Sequence, residues 1–395
     1  MNIKRHDIII VGGGLIGLAL SCFLEKLGLN VAIIEKNEIS NSKTNKLDTR
    51  TTAISEGSKE ILDTIGLWQN IKSKSQPIVL ISVVDRNISN NINFFNPKRN
   101  KNLGYIAENY FIKKTFLNAI FAKNNIHLYE KRNISNIIIS DDHCKVITQK
   151  EEIFSKLIIA ADGKNSFVRK LMKLSKFTKN YNQSAIVINF LHKNKHNNRA
   201  LELFYNSGPL ATLPMQSFKK TNASSLVWSH NNNFIESLSK IENNLLKSII
   251  DEKIQNYLGK TIKIINKKTF RLSAHINSRF FSKRLLYIGD SAHSIHPIAG
   301  QGWNLGMRDL NCLVKILKET IDLGLDIGSN YVCKRYHDNR YFDAFLLYQI
   351  TDKLNSIFMK EDEISYIVRT NGFSFINFNN LLKNKISDYA INGPL

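Results

Sequence analysis

Cysteine and proline are both scarce in this chain of 395 residues, with four of the first and six of the second. Cys22, Cys144, Cys312 and Cys333 lie far apart and form no C-x-x-C pair. They read as isolated thiols of a reducing compartment. So little proline, with 19 glycines, excludes collagen-like and proline-rich classes. Apolar residues make up 43% and charged residues 22%, which is ordinary globular usage and excludes a disordered chain. The length allows two or three domains. No internal repeat is evident.

Acid is the other shortage. Lys and Arg number 55 against 33 Asp and Glu, a formal charge of +22. Such a surplus suits a polyanion, either nucleic acid or an acidic membrane. Yet the cations are scattered, and clusters such as Lys98-Arg99-Asn100-Lys101 are short. No zinc-finger, homeodomain or RRM signature accompanies them. The charge therefore reads as a Lys-rich composition, with no nucleic acid as partner.

One apolar run stands out. Residues 8–24 carry no charge and follow Lys4, Arg5 and His6. That resembles a signal peptide or anchor, although about 17 residues is marginal for a membrane span. The glycines favour another reading. Gly12-Gly13-Gly14-Leu15-Ile16-Gly17 satisfies G-x-G-x-x-G. Before it, Asp7-Ile8-Ile9-Ile10-Val11 reads as a buried parallel strand. After it, Leu15, Leu18, Ala19, Cys22, Phe23 and Leu27 fall at helical spacing, and Gly28 ends the helix. Residues 29–34 form a second buried strand closed by Glu35, 18 residues after Gly17. This complete strand–turn–helix–strand–acid unit is what an adenine dinucleotide requires. Gly12 allows a tight turn, Gly14 lets the backbone approach a pyrophosphate, and Gly17 lets the helix pack on the sheet. The helix start attracts phosphate, and Glu35 accepts from ribose hydroxyls.

FAD and NAD are not separated by that unit. Residues 154–163 form another buried strand ending in Asp162-Gly163, with Ser166 and Arg169 at the start of a helical stretch. Residues 284–290 form a third, ending in Gly289-Asp290. It runs into Ser291-Ala292-His293-Ser294-Ile295-His296-Pro297-Ile298-Ala299-Gly300-Gln301-Gly302. Asp290 suits a polyol. The Gly300 and Gly302 backbone can approach a flat ring. A helix from about Asn304 would aim its amide groups and positive dipole end at that ring, which stabilises negative charge on a reduced flavin.

At these residues the chain resembles the class A flavin monooxygenases, the group of para-hydroxybenzoate hydroxylase. Within that group it is most similar to the hydroxylases of ubiquinone biosynthesis. Three fingerprints carry the resemblance: the amino-terminal glycine motif, Asp162-Gly163 and Gly289-Asp290. Further marks are Asp48-Thr49-Arg50-Thr51-Thr52-Ala53-Ile54-Ser55, Leu103 through Asn109, and Tyr181-Asn182-Gln183-Ser184-Ala185. So are Ser207-Gly208-Pro209-Leu210 with Leu213-Pro214, and Thr351-Asp352-Lys353-Leu354-Asn355. The run Gly300-Gln301-Gly302-Trp303-Asn304-Leu305-Gly306-Met307-Arg308-Asp309 is the most specific. The marks extend from about residue 7 to about 358.

The resemblance implies an α/β fold: a Rossmann-like FAD-binding domain (1–75, 101–180 and 265–343), an inserted antiparallel-sheet substrate domain (76–100 and 181–264) and a C-terminal helical segment (344–395). It implies that Gly12, Gly14, Gly17 and Glu35 bind the ADP half of FAD and that Arg50 meets the flavin or pyrophosphate. Asp162 would sit where pyrophosphate and nicotinamide nucleotide approach, and Asp290 by the ribityl and pyrophosphate. Pro297, Gly300, Gln301, Gly302 and Asn304 would line the isoalloxazine, with Asn109 a weaker candidate. NAD(P)H or another donor would reduce FAD. Dioxygen would then give a flavin hydroperoxide that passes one oxygen to an electron-rich phenol.

The substrate expected from the resemblance is a polyprenylated phenol of ubiquinone biosynthesis. The alternative is another aromatic, or a flavin oxidoreductase without oxygen insertion. A basic binding protein that retains a flavin fold is the reading from a different class. No general base is assigned. The expected location is the cytoplasm, with peripheral contact at the inner membrane and with other ubiquinone-biosynthesis proteins as further expectations. No metal is expected: His293 and His296 are three apart, but no third ligand accompanies them and Pro297 interrupts any helix.

Between the motifs, residues 77–95 and 183–230 read as antiparallel strands, and 231–258 as helix stopped by Gly259. The sheet would cover the reacting face of the flavin. Asn-rich residues 87–100 and 194–198 read as surface loops. From Ala344, helical periodicity gives an apolar face through Phe358, read as packing on the core.

Overall fold

The computed structural model describes residues 2–40, 48, 50–86, 91–98 and 100–394. Thr49 of the Arg50 motif, Arg99, and residues 87–90 of the first Asn-rich loop lie outside that set. The centre is a six-stranded sheet. Its order is Phe281–Ser282, Leu285–Tyr287, Leu157–Ala160, Ile8–Val11, Val31–Ile34, Ile126–Tyr129. All neighbours run parallel except the first pair. The middle strands are apolar at every position because both faces are covered. On one face the helix Leu15–Glu25 packs between the helices Asn109–Phe121 and Gly302–Asp322. A four-stranded sheet adds Cys144, Val146 and Ile153 to the same core, and the helix Asn330–Met359 adds Val332, Cys333 and Tyr336.

Two local expectations shift. The stretch from residue 154 is two strands rather than one. Glu151–Ser155 pairs with Asn2–Arg5, and Leu157–Ala160 alone enters the central sheet. The helix expected over 231–258 breaks at Ile241, whose extended backbone separates Asn232–Lys240 from Asn243–Leu258. Gly259, at φ +70°, does end the second helix.

The large sheet has eight strands. Its order is His293–Ser294, Thr261–Asn277, Lys176–His192, Thr221–Asn231, Gly208–Phe218, Arg199–Tyr205, Leu80–Asp85, Asn91–Phe94. One face carries Ile186, Phe190, Leu201, Leu203, Leu226 and Trp228 against the two helices of 232–258. The other face turns inward. A three-stranded sheet (Thr51–Ser55, Gly104–Glu108, Ser75–Ile78) holds Pro77, which therefore stands outside the large sheet. The divisions drawn at 180/181, 264/265 and 343/344 fall inside single elements: Lys176–His192, Thr261–Asn277 and Asn330–Met359. Two further helices, Glu363–Phe378 and Asn380–Asn392, complete the chain.

Candidate active site

The strands Ile8–Val11, Leu157–Ala160 and Leu285–Tyr287 are neighbours, and all three end at the same edge. Gly12, Asp162 and Asp290 follow those ends, where an open parallel sheet binds ligands. Gly12 has φ +112°, and a Cβ there would lie 2.5 Å from the Ala161 carbonyl oxygen. A Cβ on Gly17 would lie 2.1 Å from the Gly12 carbonyl oxygen. Both positions therefore exclude a side chain. Gly14 is different: a Cβ there would meet nothing within 4 Å. It starts the helix Leu15–Glu25, whose first turn has no side-chain cap and no acid. The free amide groups face open space, which suits a phosphate. Glu35 accepts hydrogen bonds from the Gly13 and Asn37 amides at 2.8 and 2.9 Å, so its carboxylate is fixed beside that opening.

Asp162 Oδ2 accepts from the Val168 amide at 3.0 Å, while its Oδ1 is buried without a hydrogen-bond partner. Asp290 is open to solvent and its carboxylate receives no hydrogen bond among the described residues. It still sits deep enough for desolvation to push its pKa up, against the Coulombic pull of His293, Lys164 and Arg50. A carboxylate in that state suits hydroxyl donors. Arg50 lies on the same side, held in a two-pronged ion pair by Asp48 at 2.8 Å and placed 5.6 Å from the Phe270 ring. Buried Asn109 accepts from Thr52 Oγ1 at 2.7 Å and supports the Arg50 strand from behind.

The turn after Pro297 is a short 3-10 helix, Ile298–Gly300, followed by the helix Gly302–Asp322. Gly300 has φ +60° and Gly302 faces open space. The helix start again has no side-chain cap and no acid. Asn304 joins this turn to a neighbouring strand. Its Oδ1 accepts from the Ser55 amide and Ser58 Oγ, and its Nδ2 donates to the Ala53 carbonyl at 3.0 Å. Its side chain clamps the strand Thr51–Ser55 to the helix, which makes it a positioning residue.

His293 and His296 part company. His293 pairs with Asp309 at 2.6 Å. His296 is fully buried, with both ring nitrogens unpartnered, and meets the edge of Tyr181 at 4.8 Å. Burial pushes its pKa down to about 4, against the pull of Asp352. A cover lies over the turn. Phe204 stacks on Phe358 at 3.7 Å and shares an apolar cluster with Ile298 and Phe373. Sequence reasoning missed Glu202, between Leu201 and Leu203 on that covering sheet. Its signal was an acid alternating with leucines in a strand whose two faces are both covered.

The uncapped helix starts, the open faces of Gly14 and Gly302, the unpartnered Asp162 Oδ1 and the unengaged Asp290 together fit an adenine dinucleotide joined to a flat ring. The FAD binding domain family matches residues 5–340. The chain belongs to that family. Ubiquinone hydroxylase UbiL of Rhodospirillum rubrum is 30% identical over 359 residues, covering 91% of this chain and 83% of that protein. The 3-demethoxyubiquinol 3-hydroxylase of Escherichia coli is 27% identical, covering 99% and 100%. Among solved structures, p-nitrophenol 4-monooxygenase PnpA of Pseudomonas putida superposes with a TM-score of 0.80 over the whole of both chains, at 18% identity. This family member is an FAD-dependent aromatic-ring monooxygenase, as the resemblance implied. Its cofactor is FAD, with NAD(P)H or another electron donor as co-substrate.

Proposed function

We propose that this monooxygenase hydroxylates a polyprenylated phenol in ubiquinone biosynthesis. The observation that carries this is similarity to ubiquinone hydroxylases over nine tenths or more of the chain. Bound FAD, once reduced by NAD(P)H, supplies the activation of dioxygen. The chain's own residues hold and screen it. Gly12, Gly14, Gly17 and Glu35 take the ADP half, and Asp162 stands at the pyrophosphate. Arg50 and Asp290 serve the pyrophosphate and ribityl. Pro297, Gly300, Gln301 and Gly302 shape the seat of the ring, where the amide groups of the following helix stabilise negative charge. Ile298, Phe204, Phe358 and Phe373 exclude water from the reacting side.

The layer around 1–75, 101–180 and 265–343 serves the cofactor, the sheet of 76–100 and 181–264 serves the substrate, and 344–395 closes over both. Ile364, Phe375, Phe378 and Leu381 are exposed on the last helices and form the part that touches the inner membrane, where a polyprenyl tail resides. No helix among the described residues is long and apolar enough to cross a membrane.

The test is turnover of a prenyl-phenol with NAD(P)H under isotopically labelled dioxygen. One labelled oxygen per new ring hydroxyl is expected. Unlabelled product, or donor oxidation without product, would overturn the reading.

A further inference from the structure

We infer that Glu202 binds the ring hydroxyl of the substrate and accepts its proton. This rests on the phenol reading above and assigns the base that sequence motifs left open.

Alternation on the strand Arg199–Tyr205 sends Leu201 and Leu203 to the helices behind the sheet and Ala200, Glu202 and Phe204 to the inward face. Both neighbours of Glu202 on that face belong to apolar clusters that extend toward the 297–300 turn. Ala200 shares a cluster with Ala53, whose Cβ stands 3.3 Å from where a Cβ on Gly300 would be. Phe204 shares a cluster with Ile298. Glu202 stands between them on the same inward face, the side of the sheet on which the 297–300 turn lies. Its cross-strand neighbours are Ala211 and Val83, which bring no polar side-chain atom. No hydrogen bond or ion pair engages its carboxylate among the described residues.

The side chain is half-buried, so solvent reaches it. Burial alone nevertheless pushes its pKa up to about 8. Three other titratable groups on this side of the sheet are engaged or neutral. Asp85 pairs with Arg369 at 3.0 Å, Asp352 lies 3.7 Å from Lys179, and His296 is held neutral by burial.

A phenol ionises near pH 10, so a carboxylate of ordinary pKa is a poor base for it and one near 8 is much better matched. In the step, the phenol O–H bond breaks and its electron pair stays on the ring oxygen. A new O–H bond forms on the Glu202 carboxylate. The resulting phenolate is richer in electrons at the ring carbons, which favours attack on an electrophilic oxygen. The proton leaves later to solvent.

The test compares FAD-loaded wild type, Glu202→Gln and Glu202→Leu. The probes are 2-geranylphenol and its methyl ether, with binding read by quenching of flavin fluorescence. The wild type is expected to prefer the phenol by about tenfold. The Leu variant should bind both probes within about twofold, with its flavin content unchanged. Wild-type turnover should rise with pH through about 8, and the Gln variant should lack that limb. A Leu variant that keeps the preference, or a wild type that shows none, overturns the assignment even where labelled product forms. Missing label in the oxygen experiment instead sinks the hydroxylation reading, and the binding preference is measured independently of it.

Discussion

Asp309 shows how much one residue can hold. It is fully buried and accepts from the Gly289 amide at 3.1 Å, His293 at 2.6 Å and Arg340 at 2.7 Å. Arg340 also pairs with Asp343, which binds Arg308 and Tyr389. The network ties the strand end at Gly289 to three helices. Burial alone would raise the Asp309 pKa, but His293 and Arg340 outweigh it and hold it down to about 2. The folded value lies below the unfolded one near 4. Asp309 thus contributes stability that is complete above about pH 4 and lost as pH falls toward 2, on the order of 2 kcal/mol. Asp309→Asn should lower Tm at pH 7. The gap between variant and wild type should shrink across pH 4 to 2 in thermal melts. A gap that does not change with pH would remove the charge argument. Arg340→Ala, which leaves a buried anion short of a partner, should cost about 3 kcal/mol or more in denaturant unfolding.

Among elements, the helix Leu15–Glu25 separates packing from ligand contact. Gly17 touches the turn before it, and Gly14 touches nothing. Gly17→Ala should force that turn apart and destabilise the flavin-free protein by about 1–3 kcal/mol, seen in urea unfolding. Gly14→Ala should leave unfolding unchanged, because Gly14 has φ −76° and open space. It should lower FAD retention after purification about tenfold or more, because the methyl group enters the phosphate's place. Equal effects of the two on unfolding would contradict this division. The helix Gly302–Asp322 is fixed in the same manner from outside: Asn304 clamps its first turn to the strand Thr51–Ser55.

At the scale of the whole molecule, three parts pack together: the parallel sheet, the large sheet and the C-terminal helices. Those helices leave Phe378 and Leu381 exposed, with Lys383 and Lys385 following. The chain as a whole carries a surplus of +22. In the proposed membrane contact, anionic lipid would attract that charge while the apolar side chains insert. Binding to vesicles containing anionic lipid should fall about tenfold when Phe378→Asp and Leu381→Asp are combined, and should weaken with salt. Flotation that is unchanged by both would rule out this face as the contact.

The local strand–turn–helix units that carry the glycine and acid motifs were legible in the sequence alone. Gly12 to Glu35 is one local unit, and each acid or glycine of the motifs follows its own buried strand directly. Backbone sterics and apolar runs settle such features over a few residues. Tertiary structure decided the rest. It tied Asn304 to Ser55 of the strand Thr51–Ser55, 249 residues away. It buried His296 against Tyr181 and brought Phe358 onto Phe204. It also set Glu202 on an inward face, because a strand's alternation says which residues share a side but not what covers that side. Only contacts between distant parts of the chain supply the cover, and with it the dry surroundings that shift a carboxyl's pKa.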